Sequence, residues 1–230
     1  RDQAGGLRKV TPEIGAKLSA AAQKLAAGDH RGSRALCDEI VSLAPDIAET
    51  HYMLGEIALQ AGDAAAALAH LERSLALKPE FARAKAVRAR SLEAAGLAEE
   101  AVTAAREAGR AVAADAYTLD TAAVVLTGAG LHAEAVDLYA RAANSARWTG
   151  YWYNYAAALQ FLGQMDAARG AYREALKLDE ANALAWAGLV QITKQTREAN
   201  EIGRLKRLAE AVRGDAKRLH TVGHAVAKAY

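Results

Sequence analysis

The stretch HYMLGEIALQAGDAAAALAHL, residues 51–71, reads as helix almost throughout, yet it carries Gly55 inside an apolar run and Ala-Gly-Asp at its centre. A glycine inside a helix costs about 1 kcal/mol relative to alanine, so each needs a packing or turning reason. Steps of 34 residues from Gly62 land on Gly28, Gly96 and Gly130, and a further step of 33 reaches Gly163. A fixed period of this length marks a stack of repeated supersecondary units.

The residues around each glycine recur with it. His51, Leu54, Gly55, Ala58 and Gly62 return as Leu119, Ala122, Ala123, Leu126 and Gly130, and as Trp152, Tyr155, Ala156, Leu159 and Gly163. Beyond each glycine, small residues stand where a second helix must approach closely: Ala67, Ala101, Ala135 and Ala168, then Ser74, Ala108, Ala142 and Ala175. Pro45 and Pro79 close two of the units. This pattern resembles the tetratricopeptide repeat over residues 14–182, as five units, with 1–13 a lead segment and 183–230 a divergent sixth repeat plus the first helix of a seventh. The resemblance implies an all-α fold, a right-handed α-solenoid of helix-turn-helix repeats. Each first helix is expected to end at a glycine in the left-handed conformation, and Gly55 to mark a close approach of two helices.

Composition supports helices over sandwiches or barrels: only three prolines and 6% aromatics accompany abundant alanine. The formal charge of +2 is spread over interspersed acids and bases, with no basic stripe interleaved with stacking aromatics, so no nucleic-acid partner is expected. RLKRLAEAVRGDAKR, residues 204–218, is the densest basic segment, and its charges lie between Leu205, Leu208 and Val212 at helical spacing, as on a solvated helix face. Cys37 has no partner for an internal disulfide and falls at the offset of Leu71, Tyr139 and Tyr172, so a buried small hydrophobe is expected. No apolar run is long enough to span a membrane. Nothing at the start reads as a secretory signal, and a cytoplasmic location is expected.

Chemistry-bearing motifs are sparse. His220 and His224 stand one helical turn apart, a spacing that can present two metal ligands, but no acidic residue or cysteine accompanies them at motif distance. Thr127–Ala133, TGAGLHA, lacks the preceding strand and the spacing of a dinucleotide loop. No phosphate loop or nucleophile elbow occurs. The chain is therefore expected to be non-catalytic in itself, with no cofactor and no metal, and to act as a protein-interaction or substrate-presenting scaffold.

In the family that it resembles, first helices line a concave groove holding extended peptides or helices. The repeat spacing then places Glu49, Tyr52 and Glu56, Arg83 and Arg90, Tyr117 and Asp120, and Tyr153, Asn154 and Gln160 along the groove that holds a protein or peptide partner. Glu49 with Arg83, and Glu56 with Arg90, stand one repeat apart, so pairing between adjacent first helices is the alternative use of these charges. The family's clamp for a terminal carboxylate is not matched: Leu18, Ala22, Tyr52 and Glu56 occupy the positions of its lysines and asparagines. Two further departures are Arg88, where an inner-face leucine is expected, and Lys17 with Lys24, which make the first unit polar.

At the end of the chain Trp186, Leu189 and Val190 begin another first helix, with Arg197 at the turn glycine's place and NEIGRLKRLAEAV as a divergent second helix. Leu189, Ile192, Lys194, Ile202, Leu205, Leu208, Ala225, Lys228 and Tyr230 resemble the junction at which bacterial proteins join such repeats to a C-terminal sulfotransferase domain using a nucleotide sulfate donor. The resemblance implies a fragment of a larger protein. Leu219, Val222 and Val226 form an uncapped apolar stripe that is expected either to fold back on the sixth pair with a raw apolar edge or to be buried against another molecule, as self-association.

Overall fold

The computed structural model describes residues 11–194 and 201–229. Thirteen α-helices and no strand occur among them. In pairs they are α1 (Pro12–Ala26) with α2 (His30–Leu43), α3 (Ala48–Gln60) with α4 (Ala64–Leu77), and α5 (Ala82–Ala94) with α6 (Ala98–Arg110). There follow α7 (Ala116–Gly128) with α8 (His132–Ser145), α9 (Thr149–Phe161) with α10 (Met165–Leu178), α11 (Ala183–Ile192) with α12 (Ile202–Ala211), and finally α13 (Ala216–Ala229). This is the all-helical tetratricopeptide architecture that the glycine period predicts. None of the helices is long and apolar enough to cross a membrane, among the described residues. The lead residues 1–10, Arg197 and Tyr230 lie outside the described residues.

Helix starts follow local chemistry. Thr11 caps α1 ahead of Pro12, and Asp29 and Asp63, one repeat apart, accept the backbone N–H groups of Gly32 and Ala66 to cap α2 and α4. The five turn glycines share one conformation, φ of 74° to 81°. That left-handed backbone costs a residue with a Cβ roughly 1–2 kcal/mol. No atom lies within 4 Å of a Cβ built on Gly62, so space is not the constraint there. Gly62→Val should lower the unfolding free energy measured by urea titration by about that amount, and Gly62→Asn by less, because asparagine tolerates this region. Equal, negligible effects from both would show that the turn can refold without a left-handed residue.

The chain divides into two compact units, residues 1–125 and 126–230. In the first, α3 packs on α4, α5 on α6, α1 on α2 and α4 on α5. Its core gathers Ala21, Cys37, Met53, Leu54, Ala67, Leu71 and Val87. A Cβ on Gly55 would lie 2.7 Å from Leu71 Cγ, which explains the helix-interior glycine: the Leu71 side chain occupies its place. Cys37 is fully enclosed, as expected, and burial pushes its thiol up to about 11. Lys17 and Lys24 each find a carboxylate, Glu39 at 2.6 Å and Asp29 at 2.7 Å, which accounts for the polar first unit. Arg88 is half-buried at the position where leucine is expected.

In the second unit α9 packs on α8 and α10, α11 on α10 and α13, and α12 on α13. The C-terminal apolar stripe is not an open edge: Val222 is fully buried and Ala225 nearly so, with Leu219 and Val226 partly buried against the same core as Trp186, Leu189, Leu205 and Leu208. The last helix folds back on the sixth pair, one of the two outcomes expected of the stripe, with Leu219 and Val226 still partly exposed.

Candidate functional site

Within the first unit, the first helices α3, α5 and α7 bring a set of aromatic and charged side chains together. Tyr52 on α3 is largely buried, its ring 5.1 Å from Phe81, the residue that precedes α5. The Lys78 ammonium stands 4.7 Å from the centre of the Phe81 ring and 2.8 Å from Glu49. Tyr117 on α7 donates its phenol to Glu56 on α3 at 2.9 Å. The Arg83 guanidinium lies 5.5 Å from the centre of the Tyr117 ring and pairs with Asp115 at 2.6 Å. Asp115 also accepts the backbone N–H and the hydroxyl of Thr118, so one carboxylate caps α7 and anchors α5.

The electrostatics follow from this geometry. Burial, with the Glu56 carboxylate beside them, pushes the phenols of Tyr52 and Tyr117 far above their usual range, so both remain neutral donors. Burial also opposes the charge on Asp115, but hydrogen bonds from Thr118 and Arg83 outweigh it and hold the carboxyl below its usual range. Glu49 is held low in the same way, burial being outweighed by the Lys78 hydrogen bond. Arg90, on α5, is exposed and makes no ion pair among the described residues, while its charge acts on Tyr117 and Glu93.

The alternative of pairing between adjacent first helices is not what the structure shows. Glu49 pairs with Lys78 rather than Arg83, because α3 packs directly on α4 and Lys78 is the C-cap of that helix. Arg83 reaches forward to Asp115, and Glu56 takes the Tyr117 hydroxyl. Of the anticipated residues, the structure brings Tyr52, Glu56, Arg83 and Tyr117 into one network, with Arg90 beside it, and places Asp120 half-buried on the same helix as Tyr117. Lys78, Phe81 and Asp115 escape a reading based on first-helix positions because they precede the helices. Phe81 and Asp115 stand one repeat apart, and that spacing is the signal that could have found them.

Tyr153, Asn154 and Gln160 belong to α9 in the second unit. Tyr153 lies 6.0 Å, ring to ring, from Tyr172, and Gln160 accepts the Tyr172 phenol at 2.8 Å. Burial and then Tyr153 push that phenol up to about 12. The same offset pairs Thr127 with Tyr139 at 3.3 Å. Gln160 thus fastens α10 to α9 with its carbonyl. Asn154 is half-buried. His220 and His224 meet edge-on, ring centres 4.7 Å apart, and no group of three or more potential metal ligands occurs among the described residues.

Tetratricopeptide repeat family models match residues 24–90 and 149–182. The fold resembles that of TTC0263, a thermophilic TPR protein of Thermus thermophilus, at 18% identity and a TM-score of 0.65, covering 77% of this chain and 97% of that one. It also resembles Pseudomonas aeruginosa pilF at 14% identity and a TM-score of 0.68, covering 90% and 94%. A third likeness is to YrrB, described as a TPR protein with an unusual peptide-binding site, at 15% identity and a TM-score of 0.55, covering 84% and 91%. No curated protein matches the sequence. At these identities the likeness is one of fold.

Proposed function

We propose that the chain, which matches tetratricopeptide repeat models over residues 24–90 and 149–182, is a protein-interaction scaffold that holds an extended peptide or helix against the first-helix face formed by α3, α5 and α7. The observation that carries this reading is Arg90: an exposed guanidinium without an ion pair among the described residues, beside a phenol–carboxylate pair whose geometry is already fixed by Tyr117 and Glu56. A preorganised surface of this kind loses little entropy on binding, and arginine and tyrosine are its characteristic anchors. The buried ring of Tyr52 supports the surface from beneath rather than meeting a partner. YrrB, of the same fold, carries a peptide-binding site by its description.

Partners captured by the full chain supply the test. Arg90→Ala should weaken a captured peptide by roughly 1–3 kcal/mol with the helical signal unchanged, as expected of an anchor residue. Glu72→Ala and Arg141→Ala, on second helices, should leave binding intact. Equal losses from all three would move the site off the first-helix face.

The resemblance to a sulfotransferase junction adds less. Leu189, Leu205, Leu208 and Ala225, which carry much of it, are buried in the second unit's own core, and that burial accounts for their apolar character without a catalytic neighbour. The reading frame beyond Tyr230 tests it directly.

A further inference from the structure

The basic segment at residues 204–218 has a use that the first-helix face does not absorb. Two adjoining cavities of about 270 and 390 Å³ lie where α10, α11 and α12 meet, and both are lined by Glu180, Trp186 and Arg204. Their floor is apolar. Trp186 is only 3% exposed, and its indole N–H is committed to the Glu180 carbonyl at 2.9 Å, so the ring is fixed in place with Leu189 and Leu208 beside it. Their rim is basic. Lys177 is taken by Glu174 at 2.6 Å and Arg204 by Glu201 at 3.5 Å, whereas Arg173 and Arg207, both exposed, make no ion pair among the described residues.

We propose that this cleft is a docking site for an acidic peptide segment of a partner protein, distinct from the first-helix face. Charge complementarity selects the occupant: two uncompensated guanidiniums flank an apolar trough, and arginine forks are suited to carboxylates because they bind them through two parallel hydrogen bonds and desolvate readily. A single small anion would leave most of this volume and all of the apolar floor unused. Nucleobases need an open aromatic face, and the Trp186 ring offers almost none. Glu180 and Glu201 on the same lining disfavour an unbroken anionic run, so the peptide carries apolar side chains between its carboxylates, the former toward the partly exposed Leu176 and the latter against Arg173 and Arg207.

Fluorescence anisotropy of the full 230-residue chain with a fluorescein-labelled Glu-Leu-Glu-Glu-Leu-Glu peptide tests this. The acidic peptide should bind, more weakly as salt rises, and Arg173→Glu and Arg207→Glu should each weaken it about tenfold or more, with circular dichroism unchanged. Arg31→Glu, on the exposed side of α2 and outside both faces, should have no effect, which separates loss of the cleft from a change in overall charge. Absence of binding, equal binding of Lys-Leu-Lys-Lys-Leu-Lys, displacement by a single-stranded oligonucleotide, or loss with Arg90→Glu but not with the cleft variants would overturn the proposal.

Discussion

Replacing Gly188 by alanine should destabilise the second unit by about 1–3 kcal/mol, although alanine is the better helix former. Gly188 lies inside α11, and a Cβ there would stand 2.3 Å from the Tyr172 ring. That ring has nowhere to go: it is 2% exposed, packed in the core, and its hydroxyl is held by Gln160 at 2.8 Å. Moving it would sacrifice both the packing and the hydrogen bond. Gly170, inside α10, provides the opposite case, since no atom lies within 4 Å of its Cβ position. Gly170→Ala should therefore stabilise by up to about 1 kcal/mol, the bare propensity gain. Hydrogen exchange across α10 and α11 would show the two substitutions moving protection in opposite directions. Matching gains would mean that the Tyr172 ring yields freely.

Alkylation of Cys37 should be at least roughly 100-fold slower in the folded chain at pH 8 than in urea, because the thiolate is the reacting species. A thiol pushed from 9.0 to about 11 loses that factor in thiolate alone, and complete burial adds a barrier of access. The cause is desolvation, which the hydrogen bond with Ser33 only partly offsets. Iodoacetamide labelling followed by mass spectrometry measures both rates. Similar rates in the two states would require α1 and α2 to open continually under native conditions.

Backbone-level features are legible in the sequence because they repeat. The left-handed turns, the close helix approach at Gly55 and the burial of Cys37 are consequences of position within a fixed period, and a period is visible in one dimension. Side-chain partners are not. Spacing gives Tyr52 and Tyr117 equal standing as surface aromatics, but Phe81 and neighbouring core residues cover the first while the second reaches a carboxylate on α3. Spacing likewise pairs Glu49 with Arg83, whereas a long lysine at the end of the neighbouring helix is nearer. The apolar character of the stripe at Leu219, Val222 and Val226 is plain from the sequence, and folding back on the sixth pair is one of its two expected outcomes; the contacts with α11 and α12 that decide between them repeat no upstream position.

The match between Gly55 and Leu71 also limits how this array can change by recombination. Removing one repeat by joining Gly62 to Leu97 would preserve the turn, since Gly62 and Gly96 hold the same backbone conformation. It would, however, set α3 against α6, where Ala105 stands one period beyond Leu71. The notch at Gly55 would then face a methyl group instead of an isobutyl group, leaving a void at the centre of the new pair. The repeats share a turn but not a surface, so each first helix is heritable only together with the second helix that fits it.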